Sequence, residues 1–237
     1  MTVPIISVHE TEQEVISHLC KLIEEISQST CENEQYFKIG LSGGSMITFL
    51  SKGLIDINTD WSKWILFFCD ERMVPVDDPN STFGVYKKKL LEKIPLQESQ
   101  FIQIKDNVSV EDAAADYALK IKEHFPESNW PRFDLLLLGM GPDGHTASLF
   151  PDHPLLKEKD SWVAPIKDSP KPPSSRITLT FPVINNACNC IFVVTGKEKA
   201  AVVKEVLKDS SKLPASLVRP SNGKVYWILD KAAASEL

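Results

Sequence analysis

The stretch Trp64 to Cys69 is apolar at every position, and Phe133 to Leu138 is apolar everywhere but Asp134. Successive side chains of a strand point to opposite faces, so such runs fit strands covered on both sides, as in parallel sheets. The segments around them have a different period. Thr11 and Glu14 form a capping box ahead of Val15, Ile16, Leu19, Leu22, Ile23 and Ile26. Ser109 with Asp112 opens a second helical stretch, carrying Val110, Ala113, Ala114, Tyr117, Ala118 and Ile121 on one face. Further strands are expected at 4–8, 36–41, 101–104, 176–180, 191–195 and 225–229. Further helices are expected at 46–52, 82–92 and 197–208, with a short helix starting over 145–150 and a helical turn at 231–236. Strands that alternate with helices in this way build an α/β domain around a mostly parallel sheet. Residues 70–81 read as a polar loop with prolines, and 151–175 as a small irregular excursion. No second core is visible, so residues 1–237 read as one domain.

Apolar residues make up 43% of the chain, enough for a core that needs neither disulfides nor a structural metal. Acidic residues outnumber basic ones, 32 to 26, and the net charge of −6 lacks the basic footprint of a nucleic-acid binder. No apolar run approaches the roughly 20 residues of a membrane helix. Met1 to Glu10 lacks the basic and apolar regions of a signal peptide. The five cysteines, Cys20, Cys31, Cys69, Cys188 and Cys190, show no repeated pair spacing and read as reduced thiols. The expected setting is cytoplasmic, with neither a membrane nor a nucleic acid as partner.

In open α/β sheets, ligands bind at the carboxyl ends of the strands, which selects the loops to read for chemistry. Ser42-Gly43-Gly44-Ser45, Asp70-Glu71-Arg72, the turn from Gly139 to His145, and Gly196-Lys197 each follow an expected strand. The serine–glycine loop suits a nest of amides for an anion at a helix start, or an ordinary capped turn. Arg72 suits the same anion, or a surface ion pair with Glu71 or Asp70.

Gly139-Met140-Gly141-Pro142-Asp143-Gly144 matches G-x-G-x-x-G literally. A dinucleotide site is a poor reading of it. Asp143 would repel the pyrophosphate, Pro142 removes an amide, and no ribose-binding acid follows at a strand end. The turn instead presents Asp143 and His145: an imidazole that can take a proton from water, and a carboxylate that can orient it. Its bland alternative is a helix-capping Asp beside a solvent-facing His. No G-x-S-x-G supports a serine hydrolase, and no H-E-x-x-H or paired C-x-x-C supports a metal site. His9, His18 and His124 read as structural.

These blocks together resemble the 6-phosphogluconolactonase family. The resemblance is carried by Ser42-Gly43-Gly44-Ser45, Asp70-Glu71-Arg72-Met73-Val74-Pro75, and the specific run Gly139-Met140-Gly141-Pro142-Asp143-Gly144-His145-Thr146-Ala147-Ser148-Leu149-Phe150-Pro151. Ser175-Arg176-Ile177-Thr178-Leu179-Thr180 and Thr195-Gly196-Lys197-Glu198-Lys199-Ala200 extend it over nearly the whole chain. Met46 departs from the family's frequent threonine, and Ser174-Ser175 from a proline–acid pair before Arg176.

The resemblance implies a Rossmann-like three-layer α/β/α fold, no cofactor, and hydrolysis of a small sugar-phosphate lactone, 6-phospho-D-glucono-1,5-lactone, in the oxidative pentose phosphate pathway. On that reading His145 is the base, Asp143 its orienter, and Asp70 a placer of water or sugar hydroxyls. Ser42, Gly43, Gly44, Arg72, Arg176 and Lys197 are the candidates for the phosphate and carbonyl side, Arg176 on the resemblance alone. The alternatives are an amino-sugar phosphate deaminase or isomerase on the same scaffold, and a catalytically silent sugar-phosphate sensor. The deaminases carry D-E-Y where this chain has Asp70-Glu71-Arg72, and I-A-F-N-E-P where it has Thr146 to Pro151.

Overall fold

The apolar runs become neighbours in one sheet. The computed structural model describes residues 3–208 and 210–237. Its strands are β1 (Ile5–His9), β2 (Phe37–Leu41), β3 (Trp64–Phe68), β4 (Asp70–Arg72), β5 (Leu135–Leu138), β6 (Val163–Ile166), β7 (Arg176–Leu179), β8 (Asn189–Val194) and β9 (Lys224–Asp230). Among the described residues, six form a wholly parallel sheet in the order β1-β9-β8-β5-β2-β3. All four residues of β5 are buried, so both faces of the sheet are covered at its centre. The helices are α1 (Glu12–Asn33), α2 (Ser45–Gly53), α3 (Thr82–Lys89), α4 (Val110–His124), α5 (Phe181–Ile184) and α6 (Ala200–Val206). Thr11 and Glu14 cap α1 reciprocally, as their spacing predicts, and α1 packs against α2 and β9.

The excursion is partly regular. β6 and β7 pair with each other and with β4 in a small antiparallel sheet of order β4-β7-β6. Residues 70–72, expected as loop, are therefore strand: Asp70 lies opposite Thr178, and Arg72 opposite Arg176. The switch between sheets falls at Cys69. Its N–H donates to Leu41 in the large sheet, and its carbonyl accepts from Leu179 in the small one, both at 2.8 Å. This hinge fixes where Asp70 and Arg72 emerge relative to the strand ends.

Other expectations are corrected. The strand expected at 101–104 reduces to one bridge, Phe101 to Leu66, because the chain leaves the edge of β3 after the bond from Ile102 N–H to the Leu66 carbonyl. No helix starts at His145. Thr146 and Leu149 instead bond to each other across a tight turn with Ala147 in the left-handed region at φ 48°. The helix expected at 197–208 begins as a 3-10 turn, Lys197–Lys199, before α6. Residues 231–236 form hydrogen-bonded turns rather than a helix.

Candidate active site

β8, β5, β2 and β3 lie side by side, so the loops at their carboxyl ends converge. They enclose a pocket of about 190 Å³. One wall is Ser42 to Ser45, and another is Gly139, Met140, Gly141, His145 and Ala147; Asp70, Arg72, Arg176 and Lys199 complete the lining.

His145 Nδ1 lies 2.5 Å from Asp143 Oδ1, and its ring packs on Phe150 with centroids 4.7 Å apart. With Nδ1 engaged by the carboxylate, Nε2 is the nitrogen left to take a proton. Burial lowers the imidazole pKa, Asp143 works against that, and the ammonium of Lys171 adds to the lowering. Partial burial pushes the Asp143 carboxyl up, but hydrogen bonds from His145 and Lys171 outweigh it and bring the group down to about 2. Asp143 is therefore a carboxylate at any ordinary pH. The sequence reading missed Lys171, whose Nζ sits 3.2 Å from both Asp143 Oδ1 and His145 Nδ1.

The ring lies over Gly141, where an added Cβ would stand 2.0 Å from His145 Cε1. The Gly141 amide also donates to the His145 carbonyl at 2.9 Å. Gly141→Ala is thus expected to keep the fold while pushing the imidazole out of line. A displacement of about an ångström costs on the order of a hundredfold in kcat/KM; kinetics alongside circular dichroism checks it, and unchanged kinetics would contradict this placement of the ring.

Asp70 is buried, and its Oδ2 accepts from Ser148 Oγ at 2.8 Å, with Arg176 Nη1 at 3.9 Å. Arg176 does reach the pocket wall, yet most of its donors serve the backbone. Nε donates to the Pro173 carbonyl, and Nη2 to those of Lys171 and Pro172. Its position is explained by β7, whose first residue it is.

The pocket lining also includes cations. Glu71 does not pair with Arg72 as an ion pair. Its carboxylate is consumed by the amides of Arg72, Thr82 and Phe83, which ties β4 to the start of α3. Arg72 Nη1 donates to the Asn80 carbonyl at 2.9 Å, while Arg72 Nε and Ser42 Oγ are buried without a hydrogen-bond partner. Buried polar groups rarely go unpaired outside functional sites. Gly44, φ 69°, is the N-cap of α2 and offers no side-chain cap, so the first amides of the helix face the same space. Tyr86 steadies this loop by donating to the Ser42 carbonyl.

Lys197, the expected ligand, is exposed and does not line the pocket; Lys199 does, half-buried. Gly196 at φ 99°, its amide held by both oxygens of Asp230 at 3.1 Å, turns the chain into the 3-10 turn and brings the third residue inward instead of the first. Burial pushes the Lys199 ammonium pKa down, Glu198 opposes this, and Lys171 adds to it. Both missed lysines were in view in the sequence. Lys199 stands in Thr195 to Ala200, and Lys171 in a stretch that showed only as irregular. Among the described residues, no group of three or more His, Cys, Asp or Glu converges as a metal site.

The profile of the family "Glucosamine-6-phosphate isomerases/6-phosphogluconolactonase" matches residues 10–227. The 6-phosphogluconolactonases of Rattus norvegicus and Homo sapiens are each 48% identical to this chain, over 97% of it and 92% of their own length. The solved 6-phosphogluconolactonase of Trypanosoma cruzi superposes with a TM-score of 0.86 at 30% identity, covering all of this chain and 98% of its own.

Proposed function

This chain belongs to the family of glucosamine-6-phosphate isomerases and 6-phosphogluconolactonases, and on that premise we propose that it hydrolyses 6-phospho-D-glucono-1,5-lactone to 6-phosphogluconate. The observation that carries the reading is one pocket with two kinds of lining. It holds a histidine paired to a carboxylate, and it also holds a buried arginine nitrogen without a partner among the described residues and a half-buried lysine. The first can activate water, and the second can hold a phosphate.

A δ-lactone is an activated ester, so a positioned water and a base suffice. His145 Nε2 takes a proton as water attacks the carbonyl carbon. Asp143 holds the ring through Nδ1 and stabilises the imidazolium that forms. The tetrahedral oxyanion then collapses, the ring oxygen leaves, and it takes the proton back from Nε2. The product is a carboxylic acid with a free hydroxyl, and the acid then releases its remaining proton to solvent to become the carboxylate. Asp70, fixed by Ser148, places the water or a sugar hydroxyl. Arg72, Lys199 and the Ser42–Gly44 amides receive the phosphate, a dianion that needs several charge-assisted donors. Arg176 acts on this pocket chiefly by holding its wall.

The deaminase alternative gains no support from relatives that bear the lactonase name at 48% identity. All five cysteines are free, and no helix among the described residues is long and apolar enough to cross a membrane. The free thiols support a reducing compartment, the cytoplasm, as the working one.

The test is lactone opening measured against the spontaneous rate. The purified chain is expected to accelerate it by orders of magnitude, and equally after exhaustive chelation, since the mechanism asks nothing of a metal. A rate equal to the background would reject the enzyme, leaving a sugar-phosphate binder. Activity lost on chelation and restored by zinc or magnesium would reject the mechanism.

A further inference from the structure

We propose that Lys171 is a positioning residue for the Asp143–His145 pair: its ammonium, set against the pair by a loop clamped on Arg176, keeps the imidazole neutral until water attacks. The inference rests on the reading of His145 as the base.

The geometry is specific. Nδ1 of His145 meets Asp143 Oδ1 at 2.5 Å, so Nδ1 carries the proton of that bond. Lys171 Nζ, which has only donors to offer, hydrogen-bonds the same Oδ1 at 3.2 Å. Its equal distance from Nδ1 is therefore a cation held against the ring edge and not a second hydrogen bond.

Two effects follow, and they have the same sign. A positive charge beside the ring disfavours the imidazolium. The same charge draws on the oxygen to which the ring bonds, which weakens the imidazolium's counter-ion. Asp143 and the more distant Asp70 pull the other way, while burial pulls with Lys171.

The placement is not that of a swinging surface lysine. Its backbone is fixed on both sides. Arg176 Nη2 and Ser169 Oγ both donate to the Lys171 carbonyl at 2.8 Å, and the Lys171 amide donates to Ser169 Oγ at 3.3 Å. Arg176 also holds the next two carbonyls, at 3.2 and 2.9 Å. A buried guanidinium is thus spent on the backbone of one short loop. Of that loop's side chains, Lys171 reaches the catalytic pair.

The experiment follows the His145 ring by NMR through a pH titration of the resting protein, for wild type, Lys171→Met and Lys171→Arg. In Lys171→Met the midpoint should rise by about one pH unit. The acid limb of kcat/KM should rise with it, giving about tenfold less activity on the acid side and less than about threefold loss at alkaline pH. Lys171→Arg keeps the charge and should hold both near wild type. A merely structural lysine would lower activity at every pH and leave the midpoint in place.

A folded Lys171→Met protein with an unmoved midpoint overturns the proposal. If that variant does not fold, Lys171→Gln, uncharged at similar reach, is read by the same criterion. The titration needs no turnover. If the wild-type chain failed to open the lactone, the function would fall while the midpoint still decided the role of Lys171.

Discussion

Replacing His145 with alanine is expected to lower kcat by about two to four orders of magnitude, the span that general-base catalysis supplies. The fold should survive. Among the described residues the imidazole hydrogen-bonds Asp143, has the Lys171 ammonium against its edge and packs on Phe150, with no part in either sheet. KM should change little, because Arg72, Lys199 and the Ser42–Gly44 amides stay in place. His145→Asn should not rescue turnover, since an amide can hold water but cannot accept its proton. Asp143→Asn should cost less than either, because the carboxylate orients and stabilises without transferring the proton. The sign of the pH dependence is fixed by the same group. Burial lowers the imidazole pKa, so wild-type activity should persist below the ordinary histidine range and fail as acid finally protonates the ring. The assay must subtract spontaneous lactone opening, which rises with pH. Near-normal kcat in a folded His145→Ala protein would remove His145 as the base and move that role to Asp70.

Arg72→Ala should produce the second large effect, and a selective one. A charge-assisted contact made by a desolvated group contributes roughly 1.5–3 kcal/mol, or about 10- to 150-fold. The loss should fall on the phosphorylated lactone and spare unphosphorylated gluconolactone, so the ratio of their kcat/KM values is the quantity to measure. Arg72 Nε is buried with no hydrogen-bond partner among the described residues, and truncation therefore removes nothing they use at that atom. Among the same residues the side-chain bond lost is that from Nη1 to the Asn80 carbonyl. If the ratio did not move, Arg72 would not belong to the phosphate site.

The sequence disclosed what local pattern can encode. Trp64 to Cys69 and the leucines 135–138 announced buried parallel strands, and the rule that ligands sit at strand ends led to Ser42, Arg72, Asp143 and His145. What stayed hidden depends on pairing between distant segments. Asp70 to Arg72 has no apolar alternation, and it is a strand only because β7 offers a backbone partner a hundred residues on. Lys171 meets Asp143 because Arg176 holds its loop, a contact that no periodicity signals. Lys197 and Lys199 differ by two residues, and only the left-handed Gly196 decides which of them faces inward. The helix expected over 145–150 fails for a similar local reason, Ala147 at positive φ, which apolar spacing does not reveal.

The strand order has a consequence for how the enzyme comes to life. β9 lies between β1 and β8, with Ile5 paired to Tyr226. The partner of β1 is thus more than two hundred residues downstream, and contacts so distant along the sequence form slowly. Most of the lining is encoded upstream of β9. Asp230 is not, and it grips the Gly196 amide that swings Lys199 inward. A nascent or truncated chain ending before Lys224 would hold its base and most of its phosphate donors, yet leave two strand edges open and one cation unset. The strand that closes the sheet and the carboxylate that sets the last cation of the pocket are thereby one segment, so losing one loses the other.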